Sequence, residues 1–162
     1  MDAIDRELTR LLQADGRLTQ EQLARQVHLS RPAVHERIKR LEAQGVICGY
    51  QALVDWAALG WSVTAFVWVR TIGRCDEVAL RVAALHDESA TVAECHRVTG
   101  EWCLLLKTRA ISSRALQHLI DRIRDVPGVQ GTMTTVVLST VADDGGRGGD
   151  QPEDRTGAAG VV

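Results

Sequence analysis

The chain has 162 residues, too short for two full-sized domains but long enough for two small ones or for one with a tail. Hydrophobic residues at 45% and charged residues at 25% are ordinary globular values, which excludes collagen-like and wholly disordered classes. The net charge of −2 hides an asymmetry: from Asp143 onward five acids face two bases, a balance of −3, so residues 1–142 carry +1. Within them, residues 28–40 set Arg31, Arg37, Lys39 and Arg40 against Glu36 alone. That is a basic patch of the kind that meets phosphate.

No apolar run approaches the roughly 18 residues that a membrane span requires. The opening Met1-Asp-Ala-Ile-Asp-Arg6 lacks the basic region and apolar core of a signal peptide. The expectation is a soluble, cytoplasmic chain with no membrane partner. Its four cysteines, Cys48, Cys75, Cys95 and Cys103, form no CxxC pair and read as free thiols in a reducing compartment.

The first 50 residues read as three short helices. Ile4, Leu8, Leu11 and Leu12 make an apolar stripe that Asp2 can cap and that Asp15-Gly16 ends. Thr19 and Gln22 form a capping box for a second helix that buries Leu23, Ala24 and Val27. After a short His28-Leu29 connection, Ser30 is the expected N-cap of a third helix with Pro32 in its first turn, running to Gln44 and stopping at Gly45. Counting about 100° per residue, Val34, Ile38 and Leu41 share the buried side, which leaves Pro32, His35, Glu36, Lys39 and Arg40 outward. Arg37 sits on the flank, open either to a salt bridge through Asp5 or Glu42 or to a phosphate contact. The arrangement is a helix-turn-helix. Residues 46–54 read as extended chain, interrupted at Gly49, that can supply a wing beside the helices and the linker onward.

The second half changes character. Residues 63–71, rich in β-branched and aromatic types, read as a strand, and 75–86 as a helix with Val78, Val82 and Leu85 on one side. Residues 92–98 and 102–108 flank Thr99-Gly100-Glu101 as a hairpin. Ser112 or Ser113 caps a helix carrying Leu116, Leu119, Ile120 and Ile123, and Pro127-Gly128 breaks it before a last strand over 129–141. The order β-α-β-β-α-β is ferredoxin-like, which makes the chain α+β. Such a sheet leaves one face open, so self-association is the expected cover for Val63, Val67 and Trp68 if they point that way. The stretch 143–162 holds six of the 14 glycines and no apolar periodicity, and is expected to be a disordered tail.

The third helix carries the strongest functional signal. Arg31, His35, Glu36 and Lys39 are placed to reach base edges, with Ser30, Pro32, Arg40 and Arg37 near the backbone. The plainer account is a solvated face of an ordinary three-helix bundle. Enzyme signals are weak: Cys95 and His96, adjacent on a strand, point to opposite faces, which opposes shared metal chelation and favours a packing role for Cys95. No phosphate-cradling glycine loop, catalytic triad order or HExxH helix occurs, so neither cofactor nor metal is expected.

From Asp2 to about Val141 the chain resembles the leucine-responsive regulator/AsnC (feast/famine) family of transcription factors. The resemblance rests on Ile4-Asp-Arg6, Leu12-Gln-Ala-Asp-Gly-Arg17, Gln22-Leu-Ala24, Leu29-Ser30, Val34-His-Glu-Arg-Ile-Lys-Arg-Leu-Glu42, Gly45-Val-Ile-Cys-Gly-Tyr50, Val98-Thr-Gly100 and Val126-Pro-Gly-Val129, in the family's order and spacing. It implies a winged helix-turn-helix over 1–50, a linker over 51–60 and a ferredoxin-like ligand-binding and oligomerisation domain over 61–142. It further implies double-stranded DNA as partner, homodimers that assemble into tetramers or octamers, and an amino-acid effector between protomers. The turn Thr99, Gly100, Glu101, Trp102 and Cys103 is the expected effector site. Where the family commonly reads Gly-Asp-x-Asp, this chain has Gly100-Glu-Trp-Cys103, which leaves the effector's identity open. The reading from another class is a small-molecule sensor or enzyme subunit that uses the ferredoxin-like domain without binding DNA.

Overall fold

A computed structural model describes residues 1–141; the expected tail over 143–162 lies outside them. The chain divides into two compact units, Met1–Leu53 and a second from Val54 onward.

The first unit is built from α1 (Ala3–Ala14), α2 (Gln20–Gln26) and α3 (Arg31–Ala43). Asp2 caps α1 in a box with Asp5, each side chain accepting the other's amide at 2.8 and 3.0 Å. Thr19 and Gln22 cap α2 in the same way. The stripes meet in a core of Leu8, Leu11, Leu23, Ala24, Val34 and Ile38, edged by Ile4, Leu12, Val27 and Leu29. Each leucine or valine fully removed from water there contributes on the order of 1.5–3 kcal/mol.

Two helix ends differ in cost. At the end of α3 the Gly45 amide donates to the Glu42 carbonyl and the Val46 amide to that of Leu41, with Gly45 at φ 68°. This is a Schellman ending with the residue it favours. At the end of α2 the Leu29 amide donates to the Ala24 carbonyl, and the left-handed position falls on His28 at φ 54°. A side chain there crowds the following carbonyl, a cost of roughly 1 kcal/mol that glycine avoids.

The expected wing is absent. Residues 46–62 form no strand among the described residues. The Tyr50 hydroxyl instead donates to Glu42 Oε1 at 3.0 Å, and its ring lies against Gly16. An extended strap laid on helices has no neighbouring strand to exchange backbone hydrogen bonds with, so no ladder forms.

In the second unit β1 (Val63–Thr71), α4 (Cys75–Ala83), β2 (Ala90–Arg97), β3 (Leu104–Ala110), α5 (Ser113–Arg124) and β4 (Val129–Val136) follow in the ferredoxin-like order. The antiparallel sheet runs β2-β3-β1-β4. Helix α4 stops short of the expected His86, which bridges Thr91. Beyond it, Asp87 takes the Ser89 amide at 2.7 Å and the Ala90 amide at 2.9 Å, turning the chain into β2. Strand β4 ends at Val136, five residues before the expected 141.

Strand alternation decides which face is covered. Ala65, Val67 and Val69 pack with Leu104, Leu106, Val82, Leu119 and Ile123 under the helices. Val63 packs on the same core, so Val63 and Val67 do not point to the open face as the expectation allowed. Phe66, Trp68 and Arg70 do, in register with Lys107, Leu105 and, on β4, Thr135, Met133 and Gly131. Phe66 remains 37% exposed and Met133 45%. The stretch 55–61 folds onto itself: Asp55 accepts the Ala58 amide, and Trp56 meets Trp61 edge to face. The Arg109 guanidinium stacks 4.3 Å from the Trp56 ring centre.

Candidate functional site

Helix α3 is held by its cap and its buried side. The Ser30 hydroxyl accepts the Ala33 amide at 3.4 Å and Pro32 occupies the first turn, so both expected contact residues also start the helix. With Val34, Ile38 and Leu41 buried, Arg31, His35, Glu36, Lys39 and Arg40 are exposed, as the periodicity predicts. Gln20, at the start of α2, bonds His35 Nδ1 at 2.9 Å. The contact links the start of α2 to α3 and orients the imidazole.

The cations divide into two groups. Among the described residues, Arg31 and Lys39 have no acidic partner. Arg37 donates through Nη1 to Asp2 Oδ2 at 2.7 Å and to Asp5 Oδ1 at 2.8 Å. Arg40 Nη2 donates to both oxygens of Asp5 at 2.9 Å. Asp5 is buried, at 2% exposure, and these guanidiniums compensate its charge. For Arg37 the salt bridge through Asp5 is the alternative realised. Arg40, expected near the backbone, is likewise committed to Asp5, because the turn of helix that exposes it also brings it over α1. The Arg37 guanidinium and the Asp5 amide hold the Asp2 carboxyl at about 2. The Asp2 amide is the largest influence holding Asp5 below its usual range, with Arg37 and Arg40 adding to it.

In the second unit the loop 98–103 joins β2 to β3, closed by the Val98 amide donating to the Cys103 carbonyl at 3.0 Å. Gly100 stands at φ 112°, a conformation side chains rarely adopt, and Thr99 and Glu101 are exposed beside it. Glu101 Oε1 accepts from Arg70 Nη1 at 2.7 Å, and the same guanidinium lies 5.6 Å from the Trp102 ring centre. Arg70 Nε is buried with no partner among the described residues. Sequence reasoning missed Arg70; its signal was the one charged residue in a strand of apolar residues and threonines. Cys103 turns its thiol inward, 3.0 Å from the Thr71 hydroxyl. Cys95 packs against the core while His96 pairs with Glu94 at 3.1 Å on the other face, as strand alternation requires.

Residues 1–42 match the family model of the AsnC-type helix-turn-helix domain, and residues 64–146 that of the Lrp/AsnC ligand binding domain. The chain belongs to the Lrp/AsnC family of transcriptional regulators. It is 38% identical to the HTH-type transcriptional regulator LrpA of Mycobacterium tuberculosis, over 89% of this chain and 94% of that one. It is 34% identical to the HTH-type transcriptional regulator FL11 of Pyrococcus horikoshii, over 86% and 91%. A feast or famine regulatory protein of M. tuberculosis, solved in complex with L-methionine, superimposes at a TM-score of 0.81 with 38% identity, covering 88% of this chain and 95% of that one.

Proposed function

We propose that the chain is a sequence-specific DNA-binding regulator of transcription, in which α3 enters the major groove and a homodimer presents two copies to successive half-sites. The observation that carries this is the outward side of α3. Arg31, His35, Glu36 and Lys39 stand exposed near the start of a capped helix, with the His35 ring oriented by Gln20. Arg31 and His35 are assigned to base edges, Glu36 to a cytosine amino group, Lys39 to phosphate and Ser30 to the backbone. We assign DNA binding to residues 1–50, a linker to 51–60, and effector binding and self-association to 61–142. The relatives named above are transcriptional regulators, so the reading is of a binding protein rather than an enzyme, acting in the cytoplasm.

The effector is assigned to the turn 99–103, and its class, an amino acid, follows the relative solved with L-methionine. Gly100 lets backbone amides approach a carboxylate, and Trp102 supplies an apolar wall. Arg70, already paired with Glu101, joins the site as a second group that can meet a carboxylate.

Melting the protein with each of the twenty amino acids at millimolar concentration tests the effector. A ligand at 100 Kd adds about 2.7 kcal/mol and raises Tm. No shift with any of them removes the effector assignment and leaves the DNA reading intact.

A further inference from the structure

The cysteine that departs from the family pattern does not stand alone. Cys75 opens α4, and its Sγ reaches the Cys103 carbonyl oxygen at 3.6 Å, which brings the two residues side by side. The Cys103 thiol contacts the Thr71 hydroxyl at 3.0 Å and approaches the Val69 carbonyl at 3.8 Å. Both residues are half-buried rather than sealed in the core. Cys48 and Cys95 offer contrasts within the same chain. Cys48 is exposed and bonds the Gly45 carbonyl, whereas Cys95 lies against the core with its thiol 3.8 Å from the Ala79 carbonyl.

We infer that Cys75 and Cys103 form an oxidant-responsive dithiol that closes into a disulfide under peroxide, tying the 98–103 turn to the start of α4.

The surroundings of the two thiols differ. Burial pushes Cys103 up, but hydrogen bonds from Thr71 and Cys75 more than offset it and leave the thiol below its ordinary value. Burial and the adjoining Cys103 thiol push Cys75 up, against smaller opposite pulls from Thr71 and then from the Arg97 charge. Cys103 is assigned as the attacking thiolate, because the Thr71 hydroxyl 3.0 Å from its sulfur can donate to the anion and reactivity follows the thiolate fraction. Its sulfur attacks one oxygen of hydrogen peroxide, the O–O bond breaks, and hydroxide leaves with the displaced electron pair to give the sulfenic acid. The Cys75 sulfur then attacks that sulfur, the S–S bond forms, and a second hydroxide leaves. With the two thiol protons the hydroxides become two waters. Two thiols are oxidised by two electrons and one peroxide is reduced. In a reducing compartment such a bond is transient, which suits a sensor.

The chain carries its own means of testing this. Trypsin places Cys75 alone in the fragment 75–81 and Cys103 alone in 98–107. The full-length reduced protein is treated with a small excess of hydrogen peroxide, alkylated, digested without reductant and analysed by mass spectrometry. The expected product is 75–81 joined to 98–107, about 2 Da lighter than the sum of the two, from protein that runs as a monomer on a non-reducing denaturing gel. Cys75→Ser and Cys103→Ser should each abolish the product, and Cys48→Ser and Cys95→Ser should each retain it. Oxidation of Cys103 to the sulfinic acid without a crosslink would overturn the proposal, as would a link to Cys48 or Cys95 or one between chains. The consequence for regulation rests on the effector reading. An amino-acid-induced rise in Tm seen with reduced protein should shrink in the crosslinked form and return with a thiol reductant. A reduced protein that shows no shift counts against the effector and not against the crosslink.

Discussion

Lys39→Ala and Arg40→Ala, made singly, separate two cations that adjoin in sequence and expose similar charge. Arg40 Nη2 lies 2.9 Å from each Asp5 oxygen, and Arg37 Nη1 bridges Asp2 and Asp5 at 2.7 and 2.8 Å. Two guanidiniums against two carboxylates make a neutral cluster, with little charge left to displace counterions from DNA. Lys39 has no acidic partner among the described residues. Each phosphate neutralised contributes about 0.9 to the slope of log K against log salt, so Lys39→Ala in a dimer should flatten that slope by about 1.8. Arg40→Ala should leave the slope nearly unchanged and instead lower stability by about 1 kcal/mol, through loss of a charge-assisted contact to a buried acid. The assay is fluorescence anisotropy with the protein's own upstream DNA across a potassium chloride series, with unfolding curves recorded alongside. An Arg40→Ala protein that folds normally and flattens the slope as much as Lys39→Ala would refute the division of the cations.

Asp5→Ala strands two guanidiniums that can partly rehydrate, and should cost about 2–3 kcal/mol in urea unfolding. Asp2 and Asp5 titrate below the ordinary 3.8 in the folded chain, so their contribution is complete above about pH 4. It is lost as pH falls through the folded value, about 2 for Asp2, and the Tm gap between wild type and Asp5→Ala should narrow over that window. His28→Gly relieves the side chain at φ 54° and should stabilise the first unit by about 0.5–1 kcal/mol; a loss of stability would show that the imidazole makes a compensating contact. Trp68→Asp places a charge on the open face between Leu105 and Met133 and should shift sedimentation of the full chain toward monomer, whereas an unchanged oligomer would move the proposed interface elsewhere.

What could be read from sequence was what local periodicity and caps encode. Ser30, Val34, Ile38 and Leu41 place α3 to within a residue of its end, and the β-branched run of β1 appears with the bounds expected. The wing failed because extended character at 46–54 says nothing about whether a partner strand lies beside it. Trp68 faces outward while Val67 beside it turns to the core, because alternation sends neighbours on a strand to opposite faces. The site was legible as a set of positions but not as a set of partners. Arg40 bonding Asp5, Arg70 bonding Glu101 and Cys75 meeting Cys103 each join residues about 30 apart in sequence. Such pairings follow from how helices and strands pack, not from any local spacing.

Whether α3 reads a DNA sequence is decided by a competition at fixed salt between the protein's own upstream DNA and a scrambled duplex of equal length and composition. Binding to the upstream DNA should be at least about 10³-fold tighter, a preference that Arg31→Ala reduces by weakening cognate binding far more than scrambled binding. Equal affinity for the two duplexes, or an Arg31→Ala loss that is the same on both, would contradict it.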